Sequence, residues 1–365
     1  MERTRTRYGY PYLARSSHLL PGIRTCPVIY SLIMRILLFA LAEVFLLGCG
    51  PARHEGVPHL RIATGGRGGL DFIPVYVASS LAFFREAGLD VSIEDLAGTA
   101  KAVESLLGGS SELVAGGYDA TIEMASKGQH LKSIFLIERW PPLAIVTGAH
   151  SHKPIRSIRD LKGTAVGVSS PGSSNHRFLN YLLVKNGLTP SDISAVGVGL
   201  NFSMAAAIEH GSVQAAAAGP LGRALLANRT GATVISDCLS AEGARQTLGT
   251  HNVPFIGLIA RSDWLNGNEE IARRVGQIMG RTVTWIHGHS AEQVRDAIPQ
   301  RYRSGDGALY LAAVHDIIPV FSEDGVTPND GPAHVRDFLA VSEPTLRSAD
   351  IHLDETYTNK FVPAH

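Results

Sequence analysis

The sequence predicts an α/β chain folded as two similar lobes that face each other across a cleft. Three observations lead there. Strand-like and helix-like segments alternate along most of the chain, which favours mainly parallel sheets covered by helices on both faces. One passage is written twice: REAGLDVSIEDLAGTAKAVESLLGGSSELVAGGYDA from Arg85, and VKNGLTPSDISAVGVGLNFSMAAAIEHGSVQAAAAGPLGRA from Val184. Each copy reads as a helix end at Gly-Leu, a short strand, a loop, a small-residue helix, a Gly turn and a buried strand. Finally, the loops that follow the strands are rich in Gly, Ser, Thr and Asn.

Composition sets the frame. A length of 365 residues accommodates two lobes with their own cores, and 45% apolar with 18% charged residues describes a folded chain. The formal net charge is +0 and no basic stripe with interleaved aromatics is present, which argues against nucleic-acid binding.

The first 49 residues read as a signal region. Ile36 to Leu47 is an apolar run behind Arg35, closed by Leu46-Leu47-Gly48-Cys49. A Cys after Leu-Leu-Gly resembles the bacterial lipoprotein box, in which the thiol is acylated and becomes the first mature residue. The competing reading is a membrane span from Val28 to Leu47, about the 20 residues a bilayer requires. Arg35 and Glu43 inside it are costly at a bilayer centre, which favours the lipobox. Met1 to Ile33 fits no signal-peptide plan, so translation is expected to start at Met34, and Gly50 to His59 is a tether. Of 3 Cys, Cys26 lies upstream and Cys49 is the lipidation candidate. Cys238 is then left without a disulfide partner, as a small buried residue rather than a nucleophile.

Leu60 to Ala63 is the first strand, followed by the loop Thr64 to Gly69. Ile73 to Ala87 has helical apolar spacing and Gly88 supplies its stop. Val91 and Ile93 alternate as a half-buried strand, Thr99 caps the next helix, and Leu113 to Ala115 is a strand leading through Gly116-Gly117-Tyr118-Asp119 into a helix. Ile134 to Ile137 and Leu143 to Thr147 are strands of the first lobe. The composition turns polar at Ser151, where the chain is expected to cross. The second lobe has strand Ala165 to Val168, loop Ser169 to Asn175 and helix Arg177 to Lys185. Strand Ala195 to Val198, helix Met204 to Glu209, strand Val213 to Ala217 and loop Gly219 to Gly222 follow. Val253 to Ala260 carries the chain back, and helices Glu269 to His287, Ala291 to Ile298, Leu309 to Phe321 and His334 to Val341 are expected on the first lobe. The predicted division is residues 60–150 with 252–365 for lobe I and 151–251 for lobe II, hinged near His150 and His251.

In open parallel sheets, ligands lie beyond the carboxyl ends of the strands. Small residues there let backbone N–H groups approach a ligand, hydroxyls add adjustable donors, and helix starts favour anionic groups. The candidate ligand residues are Gly65, Arg67, Gly98, Thr99, Gly117, Tyr118, Ser170, Gly172, Ser173, Ser174, Asn175 and Gly219. Ser170 to Asn175 is the sharpest of these loops, although Ser and Asn also cap ordinary helices. It is no phosphate-binding P-loop, because no Gly-Lys-Ser/Thr follows. Arg67 either pairs with an anionic ligand or is a solvated loop residue. Tyr118 and Trp140 either stack on a planar ligand or close the core of the first lobe. Asp119 reads as a first-turn acid, and His176 beside a cap reads as surface. His287 and His289 fall on different helix faces, which argues against a metal site. No Gly-x-Ser-x-Gly elbow, HExxH or carboxylate pair beside a cleft loop suggests catalysis, and no cofactor is expected.

Three stretches carry a family resemblance: GGLDFIPVYVASSLAFFREAGLDVSIEDLAGTAKAVESLLGG, VAGGYDATIEMASKGQ and LKGTAVGVSSPGSSNHRFLNYLLVKNGLTPSDI. They resemble the periplasmic substrate-binding proteins of ABC importers in the nitrate/sulfonate/taurine and thiamine-precursor group, over Leu60 to Arg261. The resemblance implies a type II periplasmic-binding-protein fold: two lobes, each a mainly parallel sheet flanked by helices, joined by a two-stranded hinge. It also places Gly98-Thr99, Gly117-Tyr118 and Ser170 to Asn175 on ligand-facing loops. Relatives often carry an acidic or amide residue before the proline of Ala218-Gly219-Pro220, and its loss here points to a neutral or largely apolar ligand. The implied function is a lipid-anchored, monomeric receptor that passes a sulfonate-, nitrate- or pyrimidine-like solute to a permease of the inner membrane. The competing class is an enzyme on the same fold, of thiamine-pyrimidine or menaquinone-pathway type. The Cys-rich motif of the pyrimidine synthases is absent from this chain.

Overall fold

The computed structural model describes residues 57–363, apart from 67, 97, 149–152, 231 and 306. The signal region, the lipobox Cys49 and Arg67 therefore lie outside the described residues.

The first sheet is built from β1 (His59–Thr64), β2 (Asp90–Asp95), β3 (Leu113–Gly117), β4 (Leu131–Glu138) and, much later in the chain, β10 (Ile256–Arg261). The second contains β5 (Ala144–Thr147), β6 (Ala165–Val168), β7 (Ser194–Gly197), β8 (Ala215–Ala218) and β9 (Thr233–Asp237). Their orders are β2-β1-β3-β10-β4 and β7-β6-β8-β5-β9. Position by position these are the same sheet. β1 pairs parallel with β2 and β3, as β6 does with β7 and β8. The fourth place holds an antiparallel strand in both, β10 or β5. The expected mainly parallel character holds, with one reversed strand in each sheet.

That reversed strand corrects the expected boundary. The sequence pattern places Leu143 to Thr147 in the first lobe, yet β5 pairs with β8 and β9 in the second sheet. The chain therefore crosses between Glu138 and Ala144, ahead of the polar stretch at Ser151. Ala144, Ile145, Val146 and Thr147 are buried, so apolarity alone could not assign them to one sheet or the other. The return lies between Asp237 and Ile256. The two crossings run side by side. Phe255 N–H donates to Glu138 O at 3.0 Å, Val253 N–H to Arg139 O at 3.1 Å, and Cys238 N–H to Leu143 O at 2.9 Å. Trp140 Nε1 reaches Cys238 O at 2.9 Å.

The helices follow from local chemistry. Ile73 to Ala87, expected as one helix, is α1 (Ile73–Ser80) and a short α2 (Phe83–Glu86). The break falls at Ala82, held at φ 61°, which turns both Phe83 and Phe84 into the core. α3 (Thr99–Leu107) buries the stripe Ala102, Val103 and Leu106, and α4 (Asp119–Ser126) buries Ala120 and Ile122. In the second lobe lie α5 (Ser174–Lys185), α6 (Phe202–Glu209), α7 (Pro220–Thr230) and α8 (Ala241–Leu248). The Ile158 turn is a 3-10 helix over Ile158–Leu161, and Ser157 and Asp160 form its capping box.

The tail contains α9 (Ser262–Gly267), α10 (Glu269–His287), α11 (Ala291–Ala297), α12 (Gly307–Ile317) and α13 (Gly331–Leu339). α10 packs on α1 and β4, on the first sheet as expected. Gly276 and Gly280 on α10 leave room for Phe361 and Pro363, which a Cβ at either glycine would strike. The tail also reaches further than expected, since α12 packs against α7 and α13 against α5. Among the described residues no helix is long and apolar enough to cross a membrane.

Candidate functional site

At the carboxyl edge of the first sheet the loops are fastened together by small residues. Gly98 N–H donates to Gly65 O at 3.0 Å. A Cβ on Gly65 would come within 2.8 Å of Thr99 Oγ1, so glycine here lets the two loops close. Gly98 sits at φ 103°, a conformation L side chains rarely adopt, and hands the chain into α3 with Thr99 at its first turn. The Asp95 carboxylate anchors the same edge, accepting from Thr64 Oγ1 at 2.9 Å and from the Tyr76 hydroxyl at 3.0 Å. Tyr76 stacks on Tyr302 with ring centroids 4.1 Å apart.

The second lobe presents Ser170 to Asn175. Ser173 is the N-cap of α5, accepting from His176 N–H at 3.3 Å, and Gly172 N–H donates to His176 Nδ1 at 2.9 Å. Asn175 Nδ2 donates to Ala217 O at 3.1 Å, tying the loop to the end of β8. Both side chains are engaged in holding the loop. Burial, with the nearby Arg177 charge, pushes the His176 imidazole below its ordinary value, so it stays neutral as an acceptor.

The two edges meet. A Cβ on Gly117 would strike the Asp119 carboxylate of its own lobe and would lie 3.2 Å from Ser174 Oγ of the other, so glycine here lets the two edges approach closely. Arg177 on α5 reaches across to α4, with Nη1 2.6 Å from Asp119 Oδ2 and Nη2 2.5 Å from Glu123 Oε2. Glu343 Oε1 stands 3.6 Å away on the tail. Burial works against the Arg177 charge, but Asp119 and Glu123 outweigh it and hold the guanidinium above its ordinary value. Burial also opposes the Glu123 charge, while Lys127 and Arg177 bring its carboxyl below the usual range. This clamp joins the lobes by ionic contact, and the sequence reading missed it. The only signal was an acid pair at helical spacing, Asp119 and Glu123, facing a basic residue on another element.

Other expected residues are placed as follows. The Tyr118 side chain is fully buried and its hydroxyl lies 2.7 Å from Thr356 Oγ1, so it closes the first-lobe core rather than facing a ligand. Trp140 lies at the crossing, and Cys238 is buried, its thiol pushed up to about 12 chiefly by burial. Gly219 has open space where a Cβ would go. Near it, Asn201 at φ 50° turns the chain so that Phe202 is 43% exposed, with its ring against Gly305 of the tail.

One further feature escaped the sequence reading. Glu138 ends β4 directly before the crossing, with no exposed surface; among the described residues no N–H or hydroxyl donor reaches its carboxyl, whose hydrogen-bond partner is the Asp71 carboxyl. Asp71, in the 3-10 turn Leu70–Phe72 behind the glycine loop, brings a second carboxyl against it. Burial, reinforced by the Asp71 charge, pushes the Glu138 carboxyl well above its usual range, and burial also raises Asp71.

Two like-built sheets, joined by paired crossings and meeting along their glycine-rich edges, define the fold of the two-lobed periplasmic binding proteins. The chain belongs to the NMT1/THI5-like family, whose profile matches residues 70–293. A solved structure from Bordetella bronchiseptica RB50 is similar at 30% identity and TM-score 0.77, over 83% of this chain and 95% of that one. The periplasmic aliphatic sulphonate binding protein SsuA of Escherichia coli shares the fold at 21% identity and TM-score 0.64, over 82% and 91% of the two chains. The riboflavin-binding protein RibY of Chloroflexus aurantiacus is 22% identical over 80% of this chain and 83% of its own length.

Proposed function

We propose that this chain is the extracytoplasmic solute-binding lipoprotein of an ABC importer. It captures a small organic solute between its lobes, presents it to a membrane permease, works as a monomer without a cofactor, and is held to the membrane through Cys49. The observation that carries the reading is the meeting of the two loop edges, where Gly117 faces Ser174 and Arg177 spans to Asp119 and Glu123. A ligand enclosed there would favour the closed arrangement by its differential affinity for it. The lobes are taken as the units that move, with the paired crossings at Glu138–Leu143 and Cys238–Phe255 as the hinge.

Within the site, Thr99 and Ser174 are the hydroxyls assigned to the solute, because Ser173 and Asn175 are occupied in holding their loop. Gly65, Gly98, Gly117, Ser170, Gly172 and Gly219 give backbone access, and Arg67 stands in the same glycine loop. The alternative is an enzyme on this fold; the Cys238 thiol, buried and pushed up to about 12, would not be its nucleophile. The test is a thermal-shift screen of the chain from Cys49 onward against sulfonates, nitrate, pyrimidines and aromatic carboxylates. A solute at 100 times its Kd should add about 2.7 kcal/mol of stability and be recovered unchanged. Chemical conversion of the bound solute would move the protein into the enzyme class.

A further inference from the structure

We infer that Phe202 is the clasp of the cleft mouth: it seats on the tail turn Tyr302–Gly305, and this contact sets how fast a solute leaves. The inference rests on the solute-binding reading and adds a control on that same site.

The topology fixes where the mouth lies. Both crossings run along one side, where β4 and β9 are the edge strands of their sheets. β7 is the opposite edge of the second sheet, so the loop Leu200–Ser203 that follows it stands on the side away from the hinge. A rotation about the crossings displaces this loop most. A contact made here is lost as soon as the lobes part.

The first lobe offers a rigid seat. Tyr302 is buried and stacks on Tyr76. Arg303 braces the chain behind it, with Nε donating to Ile298 O at 2.8 Å and Nη2 to Asp296 O at 3.0 Å. Ser304 Oγ donates to Gly68 O at 3.2 Å, and a Cβ on Gly68 would collide with that hydroxyl, so the turn lies directly on the glycine loop. Gly305, at φ 79°, ends the turn as bare backbone, and a Cβ there would come within 3.1 Å of the Phe202 ring.

The second lobe supplies the matching part. Asn201 is held at φ 50° and ψ −106°, a strain that persists only where the surroundings enforce it. Ser203 Oγ, donating to Leu200 O at 2.9 Å, fixes this turn, and the turn aims Phe202 at the tail. The Arg229 guanidinium lies over the ring, 5.6 Å from its centroid, and steadies it. Beyond the turn, α12 packs on the Leu70–Phe72 turn of the first lobe and on α7 of the second, where Asp316 meets Arg223 at 3.5 Å. The tail is thus anchored to one lobe and meets the other across the mouth. Because the ring keeps part of its surface in water, the seat is shallow and can be released.

The experiment compares the wild type with Phe202→Ala, with Phe202→Leu, which restores part of the apolar contact, and with Leu200→Ala, which trims an exposed apolar side chain of the same loop. Ligand-free proteins are compared by small-angle scattering. Dissociation of butanesulfonate, nitrate, 4-aminopyrimidine and benzoate is followed by stopped-flow tryptophan fluorescence. Phe202→Ala should show a larger radius of gyration, and each solute that binds should leave about tenfold faster, by the same factor for all. Phe202→Leu should fall between it and the wild type, and Leu200→Ala should match the wild type. Superimposable scattering curves, or an unchanged dissociation rate, overturn the clasp. A loss that differs from solute to solute makes Phe202 a wall that touches the ligand and also overturns it, as does an equal effect of Leu200→Ala. If no solute binds the wild type, the solute-binding reading falls, and the scattering comparison alone upholds or overturns the contact as a closing device.

Discussion

Replacing Arg177 by Met keeps the aliphatic stem and removes the guanidinium that spans the lobes. Its side chain is 16% exposed, against 10% for Asp119 and 19% for Glu123. These values lie between two limits: exposed pairs contribute about 0–1 kcal/mol, and loss of one partner from a fully buried pair costs about 3–5 kcal/mol. About 2 kcal/mol is the appropriate scale for the clamp, with Lys127 still beside Glu123. Because the contact exists only with the lobes together, that energy falls on the closed state. At 1.4 kcal/mol per decade it lowers the closed-to-open ratio about 30-fold. The assay is small-angle scattering of the ligand-free protein, where Arg177→Met should show a larger radius of gyration than the wild type. A faster dissociation rate for whichever solute the thermal screen identifies should accompany it. Superimposable scattering curves, with an unchanged dissociation rate, would refute the assignment of Arg177 as a cross-lobe clamp.

Further outcomes follow from the same contacts. Tyr118→Phe should cost about 1 kcal/mol, since Thr356 Oγ1 already donates to Leu353 O and loses its own donor. In a chain of this size that lowers Tm by about 2 °C, and solute affinity in calorimetry should not change; a selective loss of affinity would return Tyr118 to the site. Ser173→Ala should destabilise by about 1 kcal/mol through loss of the α5 cap, whereas Ser174→Ala should leave Tm alone and weaken binding; the reverse pattern would exchange their roles. The folded Glu123 carboxyl lies below its ordinary value of 4.5, so its contribution to closure is present above that pH and is lost as pH falls through the lower folded value. Affinity measured from pH 7 down to pH 3 should drop at the acid end in the wild type and less in Glu123→Gln. Cys49→Ser should release the protein from membranes on fractionation, and continued membrane partition would overturn the lipobox reading.

How much was legible in advance depends on which physical signal carried it. The α/β alternation and the duplicated passage were readable because β2, β3, β7 and β8 each sit between a glycine stop and a small-residue helix. The reversed strands were not readable, since four buried residues such as Ala144 to Thr147 carry no information about direction or sheet. Nor was β9, whose half-buried Thr233–Asp237 gives only a weak alternation. At the candidate site the loops were found by their glycines and hydroxyls, which are local signals. The Arg177 clamp and the Asp71–Glu138 pair were missed because each joins residues distant in sequence, and both depend on burial. Tyr118 shows the reverse case. Its motif placed it beside a ligand loop, and only the long-range bond to Thr356 shows that its ring turns into the core.

The reversed strands also set an order of assembly. All five strands of the second sheet lie between Ala144 and Asp237, so that sheet is complete as soon as that stretch has left the ribosome or the export channel. The first sheet has its fourth place vacant until much later. β10 fills the slot between β3 and β4, and it ends at Arg261, far from Leu113 and Leu131 in the chain. Until then β4 has no neighbour to hold it, and closing so long a loop is slow. The inserted lobe can therefore settle first, while the lobe that surrounds it in sequence waits for the strand that joins β4 to the rest of its sheet. A nascent or translocating chain of this design keeps half of itself unlatched until more than two thirds of it has emerged.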